Sequence, residues 1–154
     1  MADAPKEKTF WELLTSDFPK RAVRVKVQSI TKKKDKALIV SYVNARTLQD
    51  RLNGRCGQTG WSIEAFPATI IHNKTVSTFV KLGIRDQDTG DWVYKMDVGV
   101  GKDFKDAMSD GMKRAAVQFG IGRYLYDMPG NLYVPVNEYG RIIDMADARK
   151  RMGL

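Results

Sequence analysis

Between Trp61 and Gly101 three apolar-rich segments follow one another, WSIEAFPATIIH, TVSTFVKLGIR and DWVYKMDVGVG, joined only by the turn-rich pieces HNKT and DQDTGD. Connections this short allow antiparallel pairing alone, because a parallel return needs a crossover of about a dozen residues. The region therefore reads as a β-meander, with Pro67 making its first member an edge or bulged strand. Upstream, RAVRVKVQSI sets Val23, Val25 and Val27 against Arg24 and Lys26, a half-buried strand with a basic outer face. KKKDK follows as a charged turn and ALIVSYV as a second strand. KTFWELLTSDFP is a short opening helix, with Thr9 and Glu12 at capping-box spacing and Pro19 as its stop. NARTLQDRLNGRCG is a second helix between Asn44 and Gly57. A long helix follows the meander, then a short strand LYVPV, the turn NEYGR and a basic, helical tail DMADARKRMGL. Helix, strands, helix, meander, helix is an α+β order rather than alternating βαβ, within one domain spanning residues 1–154.

The side-chain inventory removes several chemistries. Cys56 and His72 are the only residues of their kinds, so no internal disulfide and no ordinary zinc set can form. A nucleophilic site would have to use His72, which falls where a strand enters a turn. GVGKDF fails as a phosphate loop, since Met96 takes the first glycine position and Asp103 the Ser/Thr position. DQDTGD lacks a closing Glu for calcium and is a hairpin turn. The acids Glu64, Asp86, Asp88, Asp91 and Asp97 would supply a metal-dependent nuclease, but no spacing singles out a pair. No cofactor is expected, and binding rather than catalysis is the expected activity. The chain has no apolar run of about 18 residues and no signal core, so a soluble intracellular protein is expected. Its 26 Lys and Arg against 18 Asp and Glu give a net charge of +8, which favours a polyanionic partner.

The long helix carries the most specific pattern. At about 100° per residue, Phe104, Met108, Met112, Ala115 and Phe119 fall on one side with Ala107 and Gly111 beside them, the expected core stripe. Lys102, Lys105, Ser109 and Lys113 align along one flank, and Asp110 and Arg114 stand at ion-pair spacing. Lysines one turn apart can follow a phosphate backbone. In FGIGRYLYD two glycines end the helix, and Arg123, Tyr124 and Tyr126 add a guanidinium and two stacking surfaces, one of them expected to be structural.

The order SYVNARTLQDRL, GW, meander, and then SDGMKRAAVQFGIGRYLYD resembles the Rad-fifty-two/DdrA family of single-strand annealing proteins, over roughly residues 20–130. The resemblance implies a β-meander packed on a helix, assembled with copies of itself into a ring or helical oligomer, with the opening helix and basic tail peripheral. Single-stranded DNA would lie in a basic groove with its bases exposed, so that complementary strands anneal without ATP in repair and recombination. By position, Lys113 and Arg114 match a Lys-Arg pair of the groove, Lys105 a further basic position and Tyr42 a tyrosine of its wall. Val117 stands where eukaryotic members have another Arg, and Arg123 is a candidate substitute. Lys74, Lys81 and Lys95 are candidates for an outer groove. A single-strand-binding protein or a recombinase are the further partners implied, and no membrane. Two alternatives remain open, a passive protector of single strands or 3′ ends, and the nuclease.

Overall fold

The computed structural model describes residues 4–67, 69–71 and 74–154, and His72 lies outside them. In chain order the elements are helix α1 (Phe10–Leu14), strands β1 (Arg24–Ile30) and β2 (Lys36–Tyr42), helix α2 (Ala45–Cys56), strands β3 (Trp61–Ala65), β4 (Thr69–Ile71), β5 (Thr75–Arg85) and β6 (Trp92–Gly101), helix α3 (Phe104–Gln118), strand β7 (Tyr133–Pro135) and helix α4 (Met145–Arg151). They divide into two units, Met1–Ser16 with Ala45–Gly122, and Asp17–Asn44 with Arg123–Leu154. Each is built on an antiparallel sheet, so the chain is α+β as its sequence order indicates.

In the first unit the alternation of TVSTFVKLGIR puts Val76, Thr78, Val80, Leu82 and Ile84 on one buried face of β5. Thr78 is the polar member, and its hydroxyl donates to Phe66 O at 2.6 Å, which removes most of the cost of burying it. β6 pairs with β5 from Val76 to Arg85, while β3 and β4 share the other edge, at Val80–Ile84 and Ser77–Thr75. The first segment of the meander is thus broken at Pro67, which has no N–H to give the ladder.

α3 covers the buried face against β5 and β6. Its buried residues are Ala107, Gly111, Met112, Ala115 and Ala116, whereas Phe104 is 58% and Met108 37% exposed. The core stripe is therefore rotated from the one expected, and proximity is the reason. A Cβ at Gly99 of β6 would collide with the backbone of Ala107 and Gly111, and one at Gly111 would lie 3.1 Å from Gly99 N and equally crowd Val80. Where backbones touch, only Gly and Ala fit, and the larger side chains are turned aside. At its end α3 closes in a Schellman arrangement, with Ile121 N–H donating to Ala116 O and Gly120 N–H to Val117 O, and Gly120 at φ +93°. α1 has its capping box, Thr9 Oγ1 accepting from Glu12 N–H and Glu12 Oε2 from Thr9 N–H. Trp11 stacks on Phe119 at 5.8 Å and donates Nε1–H to Asp86 at 2.7 Å, and Arg51 donates to the Leu14 and Ser16 carbonyls.

In the second unit the strand order is β1-β2-β7. Val25, Ile39 and Val134 meet Ala148 and Met152 of the tail in one core. Arg149 ties the tail further, donating to Val23 O at 2.6 Å and Lys20 O at 2.9 Å. Phe10 and Leu14 of α1 are buried in the first unit. The tail's basic residues mask what Ala148 and Met152 contribute.

Candidate nucleic-acid interface

α3 begins where Asp103, in extended conformation, accepts the Asp106 N–H at 2.8 Å. With its small-residue line pressed on the sheet, its polar flank faces outward. Lys102 and Lys105 are exposed and Lys113 is half-buried on that flank. Lys102 pairs with Asp106 at 3.7 Å, a loose exposed contact worth little. Arg114 Nε donates to Asp110 Oδ2 at 2.9 Å, and the same oxygen accepts the Val100 N–H at 3.1 Å. Asp110 thereby anchors the guanidinium to β6. In this unit α3 carries Lys105, Lys113 and Arg114, and Lys102 precedes its N-cap Asp103.

The three lysines assigned to an outer groove part company. Lys81 leaves the sheet on the face away from α3, with its Nζ 4.7 Å from the Tyr94 ring centroid. Lys95 leaves on the α3 side, donating to Gln118 O at 2.9 Å and sitting 5.3 Å from the Phe119 centroid. Lys95 is thus a cap on the negative end of α3, and it shares no groove wall with Lys81. Lys74 occupies a turn at φ +66°, exposed. The two differ because a strand's side chains alternate faces, and which face each takes depends on the register between strands.

In the second unit Tyr42 ends β2 opposite Arg24, and Lys26 lies over its ring at 4.9 Å. Arg123 is exposed at the head of the 3-10 turn Arg123–Tyr126. Tyr124 accepts the Phe18 N–H on its hydroxyl at 3.0 Å, while Tyr126 is 72% exposed. One of the two tyrosines is indeed structural, and it is Tyr124; Tyr126 has the open ring.

The acids are used differently from a metal site. Asp86 accepts from Trp11 and from the Asp88 and Thr89 N–H groups, and Asp97 accepts from Gln118 Nε2 and Val98 N–H. Among the described residues no three His, Cys, Asp or Glu side chains gather in a metal-holding group, and no helix is long and apolar enough to cross a membrane. What the sequence did not announce is the sheet face opposite α3, where Phe79, Trp92, Tyr94, Met96, Val98 and Val100 are all exposed. Paired register places them side by side, Phe79 with Val98 and Gly83 with Tyr94. The signal was present in the alternation of DWVYKMDVGVG, whose outer positions are apolar rather than polar.

Residues 6–140 match the family described as Rad52/22 family double-strand break repair protein. The chain is 41% identical over 118 residues to the single-stranded DNA-binding protein DdrA of Deinococcus deserti, covering 75% of this chain and 56% of that protein. It is 38% identical over 117 residues to DdrA of Deinococcus radiodurans, covering 75% and 54%. The chain thus spans about half the length of the curated relatives it matches.

Proposed function

Because this chain belongs to the Rad52/22 family of double-strand break repair proteins, we propose that it binds single-stranded DNA and brings complementary strands together without ATP. The observation that carries this reading is the 38–41% identity to two proteins named for binding single-stranded DNA. The exposed cationic flank of α3 supports it. Lys102, Lys105, Lys113 and Arg114 would contact phosphates, and in the other unit Tyr42, Arg123 and the open ring of Tyr126 would add ring and guanidinium contacts. The activity needs positioned charge and accessible bases, with no bond made or broken in the protein's substrate.

Assembly with further copies is part of the same proposal. Six large apolar side chains are exposed on one sheet face, and grouped exposed apolar side chains of this kind mark interaction surfaces. A neighbouring copy seated there would bury them and extend the DNA-binding flank from subunit to subunit.

A second reading has a specific support, since both relatives are named for binding and not for annealing. In that reading the protein coats and protects single strands. Mixing complementary labelled strands without ATP separates the two. Faster pairing in the protein's presence, lost in Lys113→Ala/Arg114→Ala, is the result expected of an annealer that uses α3. Slower pairing despite tight binding selects the protector. Unchanged pairing, binding and salt dependence in the double variant would remove α3 from the interface.

A further inference from the structure

The net charge of the chain is unevenly shared between its two units. Asp17–Asn44 with Arg123–Leu154 holds 13 Lys and Arg against 6 Asp and Glu, net +7. Met1–Ser16 with Ala45–Gly122, which contains α3, holds 13 against 12, net +1. Several cations of that nearly neutral first unit are engaged internally, Lys102 with Asp106, Arg114 with Asp110 and Lys95 with the end of α3. The electrostatic excess that would draw a polyanion lies elsewhere.

It peaks at the turn between β1 and β2, where Lys32, Lys33, Lys34 and Lys36 are all exposed. The acid among them is occupied by the turn itself. Asp35 Oδ1 accepts the Thr31 hydroxyl at 2.9 Å, and its carbonyl accepts the Val136 N–H at 3.0 Å. Among the described residues no ion pair engages the four lysines. The turn is nonetheless well defined, with Thr31 N–H bonded to Lys36 O, Lys34 N–H to Thr31 O, and Lys34 at φ +57°.

A second turn is fastened beside it. Asn137 Oδ1 accepts from the Tyr139 and Arg141 N–H groups, each at 3.0 Å. Gly140 rests against β1 so closely that a Cβ there would lie 2.5 Å from Ile30 Cδ1. This turn holds out Arg141 and Tyr139, whose side chain at 77% is the most exposed of the large hydrophobic ones. Fixed backbones thus present four ammonium groups against the single carboxylate of Asp35, with a guanidinium and an open aromatic ring beside them. Cations match a phosphate backbone, and a bare ring matches the face of an unpaired base.

We propose that these paired turns form a further single-strand contact, in which Lys32, Lys33, Lys34, Lys36 and Arg141 meet phosphates and Tyr139 stacks on a base. It rests on the reading of the chain as a single-strand binder and adds a surface to it that α3 does not supply. An anionic bilayer could also attract lysines, with Ile30, Tyr139 and Ile143 exposed near them, and the vesicle measurement below separates that outcome.

The test is anisotropy of labelled oligothymidylate with the full chain across about 50–200 mM salt. Lys32→Gln/Lys33→Gln/Lys34→Gln/Lys36→Gln is expected to lower the log–log salt slope by about 2–3, at about 0.7 per lost contact. Tyr139→Ala is expected to weaken binding about fivefold or more with its slope unchanged. Both changes are at exposed side chains, and unchanged melting temperatures would show that the fold persists. Wild-type protein that fails to bind oligothymidylate overturns the single-strand reading as a whole. Wild-type binding that falls in Lys113→Ala/Arg114→Ala but not in either tip variant overturns this inference alone. Tip-dependent binding to phosphatidylserine vesicles, with oligothymidylate binding unaffected, would likewise overturn it.

Discussion

Asp86 shows how much one carboxylate can organise. It collects Trp11 Nε1–H and two backbone N–H groups, and the Trp11 bond, aided by the backbone bonds against slight desolvation, holds its carboxyl below the ordinary 3.8. A depressed carboxylate contributes fully above its unfolded value and loses that contribution as pH falls through the lower folded one. Acidification past 3.8 should therefore release Trp11 and loosen α1, read as a change in Trp11 emission with Trp61 and Trp92 replaced by Phe. Asp86→Asn should abolish that transition; its persistence would assign it to another group. Cys56 makes the complementary case, because burial pushes its thiol up to about 11. Thiolate is then scarce at neutral pH, and a thiol reagent should label the protein only as fast as it opens. Rapid labelling in native buffer would contradict the burial. Neither role was legible in the sequence. A single Cys could be counted, but its burial, the Trp11–Asp86 bond and the choice of Tyr124 over Tyr126 as the structural ring all depend on partners far along the chain.

α3 and β6 form the most tightly fitted pair of elements, and Gly99 sets their separation. Gly99→Ala would drive a methyl into the Ala107 and Gly111 backbone, which cannot swing aside as a side chain can. A loss of about 2 kcal/mol or more is expected, the upper part of the range for overpacking, measured by denaturant unfolding. A loss within about 0.5 kcal/mol, ordinary for a surface change, would show that the helix can shift freely. Elements of this kind were readable where their signal was local. Period-two alternation marked β1, an apolar run β2, turn-rich joints β5 and β6, and the capping box α1, while Pro67 marked an edge or bulged strand that the structure divides into β3 and β4. The buried face of α3 was not, since a stripe chosen by large apolar side chains assumes ordinary spacing between helix and sheet. Contact distance here is set by two glycines on different elements. The opposite directions of Lys81 and Lys95 escaped for a related reason, as register is a property of paired strands.

At the scale of the molecule, sequence yielded the total charge but not its division, because Asp17–Asn44 joins Arg123–Leu154 across the whole length of the other unit. Family resemblance carried the likeness to single-strand binding proteins from the motif around Lys113 and Arg114. The open sheet face came only with the fold, and it bears on assembly. Met96→Glu with Val98→Glu adds charge at two exposed positions without touching the core. The variant should stay folded and shift to smaller species in light scattering; an unchanged mass would place any self-contact elsewhere. β6 also pairs with β5 alone among the described strands, and three of its outward backbone groups are met by side chains, Met96 O by Gln118, Val98 N–H by Asp97 and Val100 N–H by Asp110. A ten-residue apolar strand left bare would be a seed for cross-β fibres. Plugged at these three points, β6 gives an arriving molecule a floor to rest on and an interrupted ladder to lengthen, which disfavours growth into amyloid-like polymer more than stacking on the face.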